Sequence, residues 1–215
     1  MLTLVFSLTA CSAGGSEETT ASQASNAAAD STAAPAEQTG DKKILVVYYS
    51  PANTAADITS SATPYFDDLG STEYVAEYIH SRVGGDIAKI TPVSDYPDGY
   101  NDTVDAAKTE RDNDERPAYA PLAVNPEDYD VIIVGYPLWW YTLPMIMYTF
   151  FDDYDFSGKT IIPFNTHAGS GESGSYDTIR EFEPNATVLE GLPLSGEEVD
   201  KSEKDIDSWL DSLQY

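Results

Sequence analysis

Positive charge is scarce in this chain: 11 Lys and Arg stand against 37 Asp and Glu, a formal net charge of −26 over 215 residues. A surface that acidic repels nucleic-acid phosphates and anionic lipid headgroups, so neither is an expected partner. Basic proteins remain the favoured macromolecular partners, although much of the acidity also serves solubility. Cysteine is nearly absent, and the single Cys11 permits no intramolecular disulfide. With only two His besides, the chain offers too few ligands for a Cys/His metal centre. The segment after the apolar run at 44–49 has neither the Gly-Lys-Ser/Thr of a Walker loop nor GxGxxG, and the GxSxG of a nucleophile elbow is missing from the chain. That segment therefore supports neither a Walker-type nor a Rossmann-type phosphate loop, and serine hydrolysis has no signature.

The N-terminal apolar run, "LTLVFSLTAC", is too short to span a bilayer and resembles the apolar region of a signal peptide. Leu8-Thr9-Ala10-Cys11 resembles a bacterial lipobox, which implies a lipidated Cys11 as mature N-terminus on the extracytoplasmic face of the cell membrane. No Lys or Arg precedes the run, so the true translation start is expected further upstream. Residues 13–40 contain no Val, Ile, Leu, Phe, Tyr or Trp, and cannot bury enough apolar surface to offset their ordering entropy. Residues 1–11 thus read as a signal remnant, 12–40 as a disordered polar tether, and 41–215 as one domain of ordinary size.

Apolar runs within the domain alternate with helical patterns. "ILVVYY" (44–49), "VIIVGY" (131–136) and "TIIPF" (160–164) read as strands buried on both faces, with "DIAKI" (86–90) and "ATVLEGL" (186–192) as weaker ones. Helical patterns cover 71–83, 101–114, the Pro144-led "LPMIMYTFFDDY", 174–182 and 197–213. In the last, Val199, Ile206, Trp209, Leu210 and Leu213 form one stripe, which makes Trp209 a core residue. Alternation of this kind predicts a doubly wound α/β sheet, whose ligands bind beyond the carboxyl ends of the strands.

The loops after the first, third and fourth strands are therefore the candidate site. After the first strand, Ser50, Asn53 and Thr54 offer hydroxyl and amide groups; no Lys or Arg occurs from 44 to 81, so a phosphate there would rely on hydroxyls, amides and a helix terminus. The loop after the third strand, Tyr136-Pro137-Leu138-Trp139-Trp140, places two of the chain's three Trp side by side, where one core cannot easily take both rings. The loop after the fourth, Asn165-Thr166-His167-Ala168-Gly169-Ser170-Gly171, combines small residues with polar side chains that let backbone N–H groups approach a ligand edge.

"KILVVYYS", "GSTEYVAEYI", "DVIIVGYPLWW" and "GKTIIPFNTHAGSG", in this order from Lys43 onward, resemble the flavodoxin family, in particular a bacterial branch with a Trp-Trp second loop. The resemblance implies a five-stranded parallel sheet of order 2-1-3-4-5 with helices on both faces, an order that the general rule for this fold takes from flavodoxin itself. It also implies noncovalent FMN. Ser50, Ser71 and Thr72 would take the phosphate, with Asn53 contributing from an insertion at 51–69 whose acids Asp57, Asp67 and Asp68 oppose an anion. Tyr136, Pro137, Leu138, Trp139 and Trp140 of the second loop and Thr166, His167, Gly169 and Ser170 of the third would take the ring system. At least one Trp is expected against the flavin, and His167 as a donor to its polar edge.

The implied function is electron transfer by a monomer, with no catalytic residue beyond the cofactor, a lipid anchor as the sole membrane contact, and redox partner proteins that dock through a basic face. Two alternatives remain: an FMN-dependent NAD(P)H quinone or nitro-compound reductase, and a flavin-free domain that keeps the fold.

Overall fold

The computed structural model describes residues 42–51, 64–66, 69–97 and 99–215. The expectations for Cys11, the tether, Asn53, Asp57, Asp67 and Asp68 lie outside the described residues.

Ile44–Tyr49 (β1) is buried at every position. Its Leu45, Val47 and Tyr49 enter one core layer and its Ile44, Val46 and Tyr48 the other, as the two-residue period of a strand requires when both faces are covered. The short pair Pro64–Phe66 (β2) and Leu69–Gly70 (β3) forms an antiparallel hairpin outside the main sheet. It leads into Ser71–Val83 (α1), which ends at Gly84. Asp86–Ile90 (β4) and Tyr100–Asp112 (α2) follow, then Val131–Pro137 (β5), Met145–Asp153 (α3) and Thr160–His167 (β6). Ser175–Phe182 (α4), Thr187–Val188 (β7), Leu192–Ser195 (β8) and Glu203–Ser212 (α5) complete the chain.

The main sheet runs β4-β1-β5-β6-β7, and β8 also pairs with β6. All of its pairings are parallel. With the hairpin set aside this is the 2-1-3-4-5 order, but the fifth position holds two short strands where one strand over 186–192 was expected. At Gly191 a Cβ would lie 2.4 Å from the Tyr176 ring, so the chain makes a close approach there before Pro193. The last helix is also shorter than its apolar stripe, because Val199–Lys201 forms a separate 3-10 turn. Helices α1 and α5 cover one face through Val75, Ile79, Ile206 and Trp209. The other face is covered through Ala107, Ile146, Phe150 and Ile179 of α2, α3 and α4. The carboxyl ends of β1, β5 and β6 therefore meet at one edge.

Candidate functional site

At the end of β1 the backbone delivers Ser50 into the interior, 1% exposed, and its hydroxyl has no hydrogen-bond partner among the described residues. A buried hydroxyl without a partner is costly, about 1–3 kcal/mol, which marks this oxygen as one that a ligand can satisfy. Gly70 lies against it: a Cβ there would stand 2.6 Å from the Ser50 Oγ, so only glycine permits the approach. Gly70 is also the N-cap residue of α1 and has no side chain with which to cap that helix. The first turn of α1, the positive end of the helix dipole, therefore begins at the same corner. Ser71 and Thr72 are fully buried, and the Thr72 Oγ1 lies 2.7 Å from the Thr166 Oγ1 of β6. Glu73, an acid in the first turn, is neutralised locally: it accepts from Lys89 Nζ at 2.8 and 2.9 Å and from the Tyr48 hydroxyl at 2.9 Å. The corner can hold an anion by hydroxyls and backbone N–H groups without a cation, and Ser50, Ser71, Thr72 and Thr166 converge on it.

Thr166 also links the next loop, since its carbonyl accepts the Leu138 N–H at 2.8 Å. Beyond Leu138 the two tryptophans part company. Trp139 is 7% exposed and packs edge-on against Tyr49 and Tyr96, with centroids 5.6 and 5.1 Å away. Trp140 is half-buried and turns onto α2, where its Nε1–H donates to the Val104 carbonyl at 2.9 Å. The Arg111 guanidinium lies over its ring, 5.1 Å from the centroid. Tyr136 and Pro137 are buried below the loop, and the Tyr136 hydroxyl is engaged with Ser175 Oγ at 2.9 Å.

The chain reverses at Trp140–Tyr141. Trp139 and Thr142 exchange both backbone hydrogen bonds, each at 3.0 Å, and the two central residues have φ of 50° and 66°. This is the arrangement of a type I′ turn, which favours Asn-Gly because both central residues are left-handed. For two bulky residues it costs about 1–2 kcal/mol each. The turn leaves Tyr141 69% exposed.

A cavity of about 280 Å³ opens beside this turn, lined by Leu138, Trp139, Trp140 and Tyr141, by Ala168 and Ser170 of the loop after β6, and by α2. That size is near the lower end of small-molecule sites, roughly 300–1,000 Å³, and suits a flat ring system rather than a whole cofactor. The third loop is held from beneath by Asn165, whose Oδ1 accepts from the Tyr176 hydroxyl at 2.7 Å and whose Nδ2 donates to the Gly171 carbonyl at 3.1 Å. His167 accepts the Gly169 N–H on its Nδ1 at 3.0 Å. Its proton is therefore on Nε2 in the neutral ring, and burial pushes its pKa below the ordinary imidazole value. Gly169, at φ 99°, is exposed and takes part through its backbone.

Leu138, Trp139, Trp140 and Ser170 thus meet at the cavity, while Ser50, Ser71, Thr72 and Thr166 meet at the head of α1. The sequence reading did not include Tyr141, Ala168 or the α2 wall formed by Tyr100, Thr103, Val104 and Ala107. Tyr141 continues the aromatic run and carried a signal; α2, polar in sequence, carried none.

A flavodoxin family model matches residues 60–213 of the chain. Among solved structures, a candidate flavoprotein from Bacteroides eggerthii DSM 20697 is 31% identical, with a TM-score of 0.63 over 80% of this chain and 97% of its own. One from Bacteroides uniformis ATCC 8492 is 26% identical, with a TM-score of 0.63 over 80% and 99%. A flavoprotein of Lactobacillus acidophilus NCFM, solved in complex with FMN, is 22% identical, with a TM-score of 0.55 over 74% and 97%. No curated protein matches the chain.

Proposed function

Since the chain belongs to the flavodoxin family, we propose that it binds FMN and serves as an electron carrier, anchored outside the cytoplasm through a lipid on Cys11. The observation that carries the cofactor reading is the buried Ser50 hydroxyl, without a partner among the described residues, facing the N-cap Gly70 at the head of α1. That corner fits a phosphate, and the aromatic cavity fits the isoalloxazine. When bound, FMN supplies the redox chemistry, taking up and releasing one or two electrons.

The protein's part is to bind, orient and exclude water. Ser50, Thr72 and Thr166 would hold the phosphate, with the α1 N–H groups adding the favourable end of the helix dipole. Leu138, Trp139, Trp140 and Ser170 would hold the ring system, and the neutral His167 would present Nε2–H to a polar edge. An anionic cofactor on a protein of net charge −26 gains nothing from long-range attraction, so its affinity depends on these short contacts. The same acidity favours a redox partner with a basic docking face, and the association rate should then fall with rising ionic strength.

The test is titration of the purified protein with FMN and with riboflavin. FMN should bind tighter than riboflavin, which lacks the phosphate, and ring emission should be quenched. Failure of both ligands to bind would leave the flavin-free alternative. Steady oxidation of NADH by a quinone without a separate reductase would replace the carrier reading with an enzyme. Anchoring is checked independently: expressed behind a complete signal, Cys11→Ser should leave the membrane fraction that retains the unaltered protein.

A further inference from the structure

We infer that Arg111 of α2 is a positioning residue for the ring end of the site, holding the strained Trp140–Tyr141 turn that forms the lip of the cavity. Its significance for flavin rests on the function proposed above, but the turn itself can be tested without a ligand.

The two backbone hydrogen bonds between Trp139 and Thr142 fix where the turn begins and ends. They do not fix its handedness, and left-handed conformations at Trp140 and Tyr141 are the disfavoured ones for residues with a Cβ. Something outside the turn must therefore select them. Among the described residues, the side-chain contacts to Trp140 that can do so come from α2. Val104 accepts the Trp140 indole N–H, the Arg111 guanidinium lies over the Trp140 ring, and Arg111 Nη1 donates to the Trp140 carbonyl at 3.5 Å. Val104 and Arg111 are seven residues apart, two helical turns, so they share one face of α2 and receive the indole along it.

The guanidinium is itself oriented before it meets the turn. Its Nε and Nη2 donate to the Asp112 Oδ1 at 3.1 and 2.7 Å, which leaves Nη1 for the Trp140 carbonyl. A planar fork bound on one side and stacked on the other is a task that Lys cannot reproduce. With Trp140 fixed in this way, the next residue, Tyr141, is held at the cavity rim with its ring exposed. The shape of the cavity on this side is thus set by a residue of α2 outside the three ligand-binding loops.

The experiment compares the unaltered protein with Arg111→Met, Arg111→Lys, Tyr141→Gly and the Arg111→Met/Tyr141→Gly double variant. Amide hydrogen exchange without ligand reads the turn directly, because the Trp139 and Thr142 N–H groups close it; the β5 amides report global stability. Arg111→Met should speed exchange at Trp139 and Thr142 by about tenfold while leaving β5 unchanged, with Arg111→Lys between. Tyr141→Gly removes the need for holding, so in that background the Arg111→Met effect should shrink to about threefold or less. In binding, Arg111→Met should weaken FMN and riboflavin by the same factor, because it acts on the ring end.

Unchanged exchange in Arg111→Met, or equal effects in the two backgrounds, overturns the inference. A loss confined to FMN overturns it as well, since Arg111 would then act on the phosphate. If neither flavin binds the unaltered protein but exchange changes as expected, the flavin reading fails and the positioning role of Arg111 stands.

Discussion

At the head of α1 the site is built from hydroxyls that three separate elements bring together, Ser50 after β1, Thr72 in α1 and Thr166 in β6. At the cavity it is built mainly from one short stretch, Leu138 to Tyr141, folded back on itself and pinned to α2. The first region is polar and closely packed, with a Ser50 hydroxyl that finds no partner among the described residues; the second is aromatic, open to solvent and strained in its backbone. A charged ligand group needs fixed short-range donors, because a misplaced hydroxyl is worth little. A flat apolar ring needs area, which can be supplied by a lip that is held from behind. Adjacent residues in the second region divide even that task, with Trp139 supporting the core and Trp140 bracing the lip.

The division between the tryptophans gives the largest expected effect. Trp139→Ala removes a buried ring packed on Tyr49 and Tyr96, and should cost about 3–5 kcal/mol of folding stability. Trp140→Ala loses one indole hydrogen bond and a cation–π contact at a half-buried position, about 1–2 kcal/mol. Denaturant melts of the ligand-free protein measure both. Equal costs would remove the distinction between a core ring and a lip ring. Trp139→Phe sharpens it, because the Trp139 Nε1–H has no hydrogen-bond partner among the described residues and its loss should cost little.

Ser50→Ala tests the polar region, and there stability and binding should move in opposite directions. Removing a buried hydroxyl that has no partner among the described residues should leave the ligand-free protein unchanged or slightly more stable. FMN affinity should nevertheless fall by about 1.5–3 kcal/mol, the range for a hydrogen bond to a charged group. Riboflavin should be unaffected. A destabilised protein with normal FMN affinity would mean that Ser50 is structural and that the phosphate lies elsewhere.

The same contrast explains what could be read from the sequence. The strands of the sheet were legible because β1 and β5 are continuous apolar runs, the signature of burial on both faces. The polar corner was legible as a set of residue types, since Ser50 and Gly70-Ser71-Thr72 flank a strand end and a helix start. Their convergence depends on Thr166, ninety-four residues from Thr72, which no local pattern relates. The turn at Trp140–Tyr141 was not legible, because its sequence is the opposite of what a left-handed pair favours. The contacts that hold it among the described residues come from Val104 and Arg111, on a helix whose sequence reads as merely polar. The close approach at Gly191 is illegible for a similar reason: the ring it meets lies on α4, outside the strand pattern.

His167, in the loop between the two regions, gives the smallest effect and one with a definite sign. Burial lowers its pKa in the folded protein relative to an unfolded imidazole, so the folded state binds fewer protons as pH falls. The stability associated with the neutral ring should be fully present above the unfolded value, about 6.5, and lost as pH falls through the lower folded value. Melts of the ligand-free protein at pH 8 and at successively lower pH should show this loss, and His167→Gln should remove its share. Protonation must also compete with the bond in which Nδ1 accepts the Gly169 N–H, so protection of the Gly169 amide from exchange, relative to its intrinsic rate at each pH, should fall over the same pH range. If that protection is independent of pH while stability falls, the acid-labile group is elsewhere, and His167 does not couple the third loop to pH.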